Sequence, residues 1–337
     1  MARILRQTTV ARNGLHNAFT DLQFWQGCYW VGYRRGAGHV SMDGEAVISV
    51  SADRRRFRQA ASFHVPGDNR DPKLFPVSDS RMAAYFPSWT RGVGPRELQQ
   101  YISFSGNGFD WQPPQPILPR NMWLWRIREH DGRFYGLIQN LQGDWDADHK
   151  PHNLDLAVSD DLTEWEIITR IGEGCGLCES DIHWHQDGRV WVLARSAVKP
   201  GGSYFCEAEP PRPPYAHWEV TEMDTMVHAP VFLPHEGDLY VAGRSSPEGE
   251  GVETFPFRGA SLGIWRVTPG ELEPVLRIPA TGDCSYPGLI KDPEGRICLT
   301  YYSQHAYHLG VVDPPAGLEG NHHQAANDVY FAELELP

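Results

Sequence analysis

Three short segments of this chain share one pattern and recur at one spacing. Each has a serine, an Asp or Asn two positions later, and an aromatic residue four positions beyond that: Ser51-x-Asp53-x-x-x-Phe57, Ser105-x-Asn107-x-x-x-Trp111 and Ser159-x-Asp161-x-x-x-Trp165. Each serine lies 54 residues from the next. A fixed period of about 40–55 residues in a chain of apolar strands is typical of β-propellers. The serine and the carboxylate or amide can bond the backbone of a tight turn, under which the aromatic ring packs.

A second repeat has six copies, each consisting of an apolar strand, a turn and a second apolar strand. The copies cover residues 17–33, 72–86, 123–138, 180–194, 229–243 and 287–302. Their turns are centred on Gly27, Ser80, Gly132, Gly188, Gly237 and Gly295, at separations of 53, 52, 56, 49 and 58 residues. Six hairpins predict an all-β, six-bladed β-propeller in which the Ser/Asp turns join the outer strands of the blades. An open array of β-sandwiches is the alternative, and the regular period disfavours it.

Nothing in the composition divides the 337 residues into separate domains. Glycine and proline are spread along the chain, so we expect a single propeller domain over residues 1–337. The ring closes only if the two ends share a blade, and residues 4–10 and 328–336 read as the strands that fit this role. Because a closed ring needs no partner for its stability, we also expect a monomer.

Charge and hydropathy argue against several kinds of partner. A formal net charge of −13 disfavours nucleic acid and anionic membrane surfaces. No stretch approaches the roughly 18 apolar residues of a membrane span. The first six residues lack the apolar segment of a signal peptide, so we expect a cytoplasmic protein.

The cysteines raise the question of a metal site. Cys175-Gly-Leu-Cys178 directly precedes Glu179, and C-x-x-C can bind zinc or act as a redox pair. Because the chain has no second C-x-x-C, we predict free thiols and no metal or other cofactor. A three-cysteine cluster that includes Cys284 is the alternative. The pair His322-His323 lies in a stretch of Gly, Asn and Ala, which predicts a solvated loop.

The innermost strands of a propeller line its central channel, so polar residues at the start of the first strand and the end of the second strand of each hairpin should converge. These residues are His16, Asn17, Asp21, Arg34, Arg35, Arg70, Asp71, Lys73, Trp125, Arg126, Asn140, Glu179, Asp181, Arg195, His228, Arg244, Asp283, Ser285, Tyr286 and His305. We predict that substrate contacts come from this set, with His16, Asn17, Arg126, His228 and Asp283 among them and Trp125 as a sugar-stacking ring.

Three arginines occupy the same place in their hairpins. Arg34, Arg195 and Arg244 each end a second strand. Guanidinium groups match carboxylates bidentately, so a cluster of them in a channel indicates a carboxylate- or sulfate-bearing ligand. Pairing with acidic residues on the blade rims is the alternative.

Tyr286 and Glu179 each open an inner strand. Tyr286 lies in the segment Gly-Asp-Cys-Ser-Tyr-Pro-Gly, where the following proline favours extended backbone. A glutamate beside a tyrosine hydroxyl can act as its base. Together with the arginines, these two residues form a candidate catalytic group.

On these residues the chain resembles the sialidase (neuraminidase) superfamily of six-bladed propellers, over essentially its whole length. The turn repeats look like the Asp-boxes of that family, Ser-x-Asp-x-Gly-x-x-Trp, in a degenerate form that keeps the glycine only at Gly108. The order Glu179, Arg195, Arg244, Tyr286 matches the family order of Glu, Arg, Arg and Tyr. Residues 16–22, 70–74 and 282–288 are similar to a bacterial subgroup of sialidase-like proteins.

The resemblance implies a retaining exo-glycosidase that acts on an acidic sugar or glycoconjugate. Tyr286 would attack the anomeric carbon with help from Glu179, and the arginines would hold the substrate carboxylate. The first arginine of the family pattern is replaced by His16-Asn17, and Arg34 is its candidate substitute. For the acid/base residue the candidates are His39, Asp43 and Asp71.

Two other classes of function remain open. A polysaccharide or oligosaccharide lyase for uronic acids would use the same arginines to neutralise the carboxylate, with Tyr286, His39 or His228 moving the proton. A non-catalytic glycan-binding propeller would bind sugar without turnover and would tolerate the change Tyr286→Phe.

Overall fold

The computed structural model describes residues 2–90, 97–141, 152–199, 201–246, 260–308 and 326–337, and there it shows six antiparallel sheets arranged as a six-bladed β-propeller. The first half of the chain forms the strands β1 (Arg3–Ala11), β2 (His16–Trp25), β3 (Cys28–Gly36), β4 (Glu45–Ser51), β5 (Arg58–Phe63), β6 (Asp68–Asn69), β7 (Lys73–Ser78), β8 (Arg81–Thr90), β9 (Glu97–Ser105), β10 (Gln115–Ile117), β11 (Met122–His130), β12 (Arg133–Asn140), β13 (Asn153–Ser159) and β14 (Glu166–Ile171). The second half forms β15 (Leu177–Trp184), β16 (Val190–Ser196), β17 (Ser203–Ala208), β18 (Trp218–Met223), β19 (His228–His235), β20 (Asp238–Ser245), β21 (Ser261–Thr268), β22 (Glu271–Ile278), β23 (Ser285–Lys291), β24 (Ile297–Ser303), the short helix α1 (His305–His308) and β25 (Asp328–Glu335).

The predicted all-β propeller is therefore confirmed. Blade one is β2–β5, blade two is β6–β10, and blades three, four and five are β11–β14, β15–β18 and β19–β22. Blade six combines β23, β24 and β25 with β1 as its outer strand, so strands from both ends close the ring as predicted. The first strands of neighbouring blades contact one another around the axis, which makes them the innermost strands. Among the residues that the structure describes, no helix is long and apolar enough to cross a bilayer.

The predicted Ser/Asp turns join the two outer strands of blades one to three, which are β4 and β5, β9 and β10, and β13 and β14. In blade three, Asp161 accepts two backbone N–H bonds at 2.7 and 2.9 Å, and Trp165 Nε1 donates to the carbonyl of Leu162 at 3.0 Å. The residue that follows the Asp or Asn is left-handed in each copy, with φ of 61° at Arg54, 75° at Gly108 and 71° at Leu162. The turn therefore keeps its backbone geometry in the two copies that lack glycine.

The core lies mainly between neighbouring blades. Leu262, Ile264, Leu289 and Leu299, for example, pack blade five against blade six. Comparable clusters join the other neighbouring blades. The cluster between blades six and one extends to the axis and includes Tyr286. The candidate site is thus continuous with the packed core.

One extra residue enters the innermost strand of every blade at the same level. The register of the inner hairpin shifts between residues 18 and 21, 124 and 127, 177 and 180, 228 and 231, and 285 and 288. In blade two the innermost strand is divided at the equivalent place, between Asn69 and Lys73. A β-bulge bends its strand and redirects the side chains beside it. Asp71, Arg126, Glu179 and Tyr286 all lie at these bulges.

Candidate active site

Tyr286 and Glu179 are joined directly at the bulges of blades six and four. The Tyr286 hydroxyl donates a hydrogen bond to Glu179 Oε1, and Arg195 Nη1 donates to the same oxygen at 2.6 Å. Glu179 Oε2 accepts a hydrogen bond from the backbone N–H of Ala229 at 3.0 Å. Burial, together with the charge of Glu179, raises the pKa of Tyr286 well above its ordinary value. The site therefore holds a protonated phenol against an oriented carboxylate.

Two of the three predicted arginines surround this pair. The Arg244 guanidinium lies 5.0 Å from the centre of the Tyr286 ring and donates to the Tyr302 hydroxyl at 2.9 Å and to the carbonyl of Cys284 at 2.8 Å. Arg195 is the more accessible arginine, with 27% of its side chain exposed. Its Nε has no hydrogen-bond partner in the described part of the chain. Arg195 therefore bonds the carboxylate of the pair while part of its side chain stays open to solvent.

The structure does not bring Arg34 to the pair of Tyr286 and Glu179. Its side chain is fully buried, and its nitrogens donate to Asp68 Oδ1 at 2.6 Å and to the carbonyls of Gly38 at 2.7 Å and Ser41 at 3.3 Å. The loop after β3 folds back over this strand end and uses the guanidinium as its anchor. Arg34 pairs with the residue directly before its bulge, as Arg244 does, whereas Arg195 lies opposite the bulge of blade four, one residue earlier in the register. The three arginines therefore do not share one place in their hairpins.

Arg70 is the third arginine of the site. The sequence placed it only among the polar residues expected to converge on the central channel. It donates to Asp68 Oδ2 at 2.9 Å and to the carbonyl of His39 at 2.7 Å. Its guanidinium lies over the Phe19 ring, 4.6 Å from the centre, and the Phe19 ring is 5.1 Å from that of Tyr286. The sequence feature that indicated Arg70 was its position directly before Asp71, at the start of the innermost strand of blade two.

The three acid/base candidates lie in different surroundings. Asp43 is exposed and accepts from the Ser41 hydroxyl and, at 3.2 Å, from the backbone N–H of Ala37, so it shapes a surface turn and lies outside the cluster. Asp71 is buried at the bulge of blade two, with a left-handed φ of 42°. Its Oδ1 has no hydrogen-bond partner among the described residues, and its Oδ2 lies 3.8 Å from Arg70 Nε. Burial raises the pKa of Asp71 to about 6.

His39, the third candidate, is held with His16 by one carboxylate. Asp283 Oδ2 lies 2.5 Å from His39 Nδ1 and 2.8 Å from His16 Nε2, and Asp283 Oδ1 accepts from Tyr302 at 2.9 Å. Burial opposes ionisation of Asp283, but the two imidazoles hold its pKa well below the usual range. Burial lowers the pKa of His39 to about 4. Asp283 thus orients protein groups rather than facing a ligand.

His16, His39 and Asp283 also form the one group in the described ranges whose potential ligand atoms lie close enough together to hold a metal ion. The positive charges of Arg34 and Arg70 act on His16, and Asp283 has Arg244 3.4 Å away, so the surroundings repel a cation. The considered cluster of Cys175, Cys178 and Cys284 does not form such a group among the described residues. His322 and His323 lie outside the described residues.

Arg126 lies across the channel below the site. It donates to Asp21 Oδ1 at 3.0 Å and to the carbonyls of Pro230 at 3.1 Å and Pro287 at 2.8 Å. These partners belong to blades one, five and six, so Arg126, from blade three, ties the blades together at the axis. Its three nitrogens are bonded within the protein.

The remaining residues predicted to contact substrate, Trp125, Asn17 and His228, are buried. Trp125 stacks on Trp123 with ring centres 4.6 Å apart and donates to Gln139 Oε1 at 3.0 Å, so that face of its ring is covered. Asn17 is fully buried and donates to the carbonyl of Asn327 at 2.9 Å. His228 is buried, and burial together with nearby arginines lowers its pKa well below the ordinary value.

Comparison with known proteins gives similarity in structure alone. No protein-family model matches the chain, and no curated protein sequence matches it. A protein of unknown function from Dyadobacter fermentans superposes with a TM-score of 0.78 at 15% identity, over 100% of this chain and 99% of that one. The Penicillium chrysogenum α-L-arabinanase complexed with arabinobiose gives 0.66 at 12% identity, over 98% of each chain.

A sialidase is among the similar structures. Trypanosoma rangeli sialidase gives a TM-score of 0.61 at 11% identity, over 98% of this chain and 58% of the sialidase. Another structure of that sialidase contains 2,3-difluorosialic acid as a covalent intermediate. Identities this low are informative about the fold alone. The chain therefore has the sialidase-like six-bladed β-propeller fold.

Proposed function

We propose that this protein is a retaining exo-glycoside hydrolase that acts on an acidic sugar such as a sialic acid. The observation that carries the proposal is the hydrogen bond from the Tyr286 hydroxyl to Glu179 Oε1, an oxygen that also accepts from Arg195. A phenol paired with a carboxylate in a cationic cleft is a nucleophile with its base in place.

In the first step the phenolic oxygen of Tyr286 bonds to the anomeric carbon while its proton passes to Glu179. The bond from that carbon to the leaving oxygen breaks, and the product is a glycosyl-tyrosine. Because the raised pKa keeps Tyr286 neutral until attack, the nucleophile does not repel the substrate carboxylate as a second carboxylate would. Glu179 becomes neutral as it takes the proton, and Arg195, which donates to the same carboxylate oxygen, orients it for that transfer.

Asp71 is our candidate for the proton donor to the leaving oxygen. Its carboxyl is buried beside the Tyr286 cluster, its Oδ1 is unpartnered in the described structure, and its pKa is raised to about 6. A carboxyl near that pKa can be protonated for the first step and can then take a proton from water in the second. Asp43, which is exposed and committed to a surface turn, lacks these properties.

The charge around the cleft supports an anionic substrate. Arg70, Arg195 and Arg244 approach one cleft in a chain whose formal net charge is −13. Arg195 exposes more of its side chain than Arg244 does, so we assign it the direct contact with the carboxylate. The covalent intermediate of the Trypanosoma rangeli sialidase makes sialic acids the first substrates to test.

The test is covalent trapping with 2,3-difluorosialic acid, read by the intact mass of the protein, together with release of an aryl α-sialoside. We expect an adduct on wild-type Tyr286 and turnover that falls by roughly a thousandfold or more in Tyr286→Phe. Tyr301→Phe is the matched control, because Tyr301 lies on the same strand as Tyr302 and bonds Gln7 instead of the site.

Three results would contradict the proposed function or its mechanism. Sialoside turnover unchanged in Tyr286→Phe would exclude this nucleophile. An unsaturated product from a uronate oligosaccharide, seen by its ultraviolet absorbance, would establish the lyase instead. Sugar binding with neither adduct nor product would establish a binding protein.

A further inference from the structure

The loop of residues 37–44 is fastened to the protein by two arginines. Arg34 donates to the carbonyls of Gly38 and Ser41, and Arg70 donates to the carbonyl of His39. Asp68 accepts from both arginines, at 2.6 and 2.9 Å, so their charges are paired beneath the loop. A surface loop that is fixed by three guanidinium–carbonyl bonds holds its side chains in defined places.

His39 is the side chain that this loop presents to the site. It is 21% exposed, its ring is 5.2 Å from that of Phe19, and its Nε2 lies 3.4 Å from Arg70 Nη2. An arginine nitrogen can only donate, so Nε2 is the accepting nitrogen. His39 Nδ1 then carries the hydrogen and donates to Asp283 at 2.5 Å.

His16 stabilises this arrangement from behind. It is completely buried, and its Nε2 shares Asp283 Oδ2 with His39. Because Asp283 accepts, Nε2 carries the hydrogen. His16 Nδ1 has no hydrogen-bond partner in the described structure, and a buried N–H there would be costly, so His16 is neutral. Asp283 therefore stays ionised and fixes the tautomer of His39.

We propose that His39 is a specificity-determining residue whose Nε2 accepts a hydrogen bond from a hydroxyl group of the acidic sugar, beside the donating Nη2 of Arg70. The proposal rests on the proposed function and names the part of the ligand that this side of the cleft recognises.

A hydroxyl group fits this pair better than a second anion does. The contact between Nε2 and Nη2 is long for a hydrogen bond, at 3.4 Å, so a ligand hydroxyl can replace it by donating to the histidine and accepting from the arginine. A carboxylate has no hydrogen to give to Nε2. A deoxy sugar could not bridge the two groups, and a site built for a hydroxyl discriminates strongly against such a ligand.

The experiment compares His39→Gln with His39→Leu by calorimetric titration with N-acetylneuraminic acid and with D-glucuronic acid. The glutamine amide oxygen can accept a hydrogen bond where Nε2 does, whereas leucine fills similar space and cannot. We expect wild-type-like affinity in His39→Gln and a loss of about 10- to 100-fold in His39→Leu. Equal loss in both variants, or loss in neither, would overturn the proposal.

A second measurement keeps the inference separate from the proposed function. In protein labelled with 15N-histidine, with His39→Gln to assign the signal, NMR reports which nitrogen of His39 carries the hydrogen. We expect Nδ1 in the wild type and a mixture of tautomers in Asp283→Asn. A hydrogen on Nε2 in the wild type refutes the proposal even if a probe binds. If neither probe binds, the proposed substrate class fails, and the tautomer alone decides whether His39 is an acceptor.

Discussion

The raised pKa of Asp71 has a consequence for stability that needs no substrate to test. Its ordinary value is 3.8 and burial raises it to about 6, because the ionised form is poorly solvated at the bulge. Between these values the unfolded chain loses the proton that the folded protein keeps, so stability falls as pH rises through this window. Below the lower value the carboxyl is protonated in both states, and the effect disappears.

Asp71→Asn should therefore stabilise the protein while removing the proposed proton donor. One pKa unit corresponds to about 1.4 kcal/mol, so the full shift is worth about 3 kcal/mol at pH 7 and about half of that at pH 5. Urea unfolding followed by tryptophan fluorescence at the two pH values measures the gain. Asp43→Asn is the control with the opposite sign, because hydrogen bonds outweigh burial and lower the pKa of Asp43. A free energy of unfolding of Asp71→Asn that is unchanged at pH 7 would show that the ionised carboxylate is stably accommodated, and the acid assignment would lose its basis.

Three further predictions concern the pH profile, the axis and the turns. Turnover by the wild type should decline as pH rises through about 6, where Asp71 loses its proton, and in Asp71→Asn this limb of the profile should be absent; a limb that survives in the variant belongs to another group. Arg126→Met leaves buried Asp21 without the guanidinium that bonds it and should lower the free energy of unfolding by about 3 kcal/mol or more, whereas Arg133→Met, which removes an exposed pair with Asp160, should change it far less; equal urea midpoints for the two variants would contradict the role of Arg126 in holding the blades together. Gly108→Ala should cost about 1–3 kcal/mol more than Gly132→Ala, because both glycines are left-handed but the new Cβ meets the Trp30 ring at 2.1 Å in one case and nothing within 4 Å in the other; thermal melts that do not differ would refute this packing argument.

The repeats were sufficient to predict the ring, because each repeat of the sequence forms the inner hairpin of one blade from consecutive strands. They also indicated which residues open the inner strands, and the structure joins two of them, Glu179 and Tyr286, across 107 positions of the chain. Where side chains point within that frame was harder to predict. Arg34 and Arg244 hold equivalent positions beside their bulges, yet one bonds the loop of residues 37–44 and the other lies over the Tyr286 ring, and Arg195 is offset from both by one residue.

The inner-strand bulges had no recognisable signal in the sequence. A register shift depends on how two strands pair, and residues such as Phe19 and Asp71 adopt left-handed backbone without the glycine that usually indicates it. The group formed by His16, His39 and Asp283 was also hidden, because it needs blade one and blade six to meet at the closure of the ring. The sequence indicated all three residues as candidates for the site, but it did not indicate that they bond one another.

The extra residue in each inner strand makes the site vulnerable to a particular genetic change. Successive side chains of a strand alternate between its two faces, so deletion of one codon at a bulge would restore a regular ladder and exchange the faces on one side of the cut. For the strand that carries Tyr286, the hairpin could still pair and the blade could still pack, while the phenol would turn away from Glu179. Short deletions at these six places are therefore the changes we expect to keep the ring folded while they take the candidate site apart.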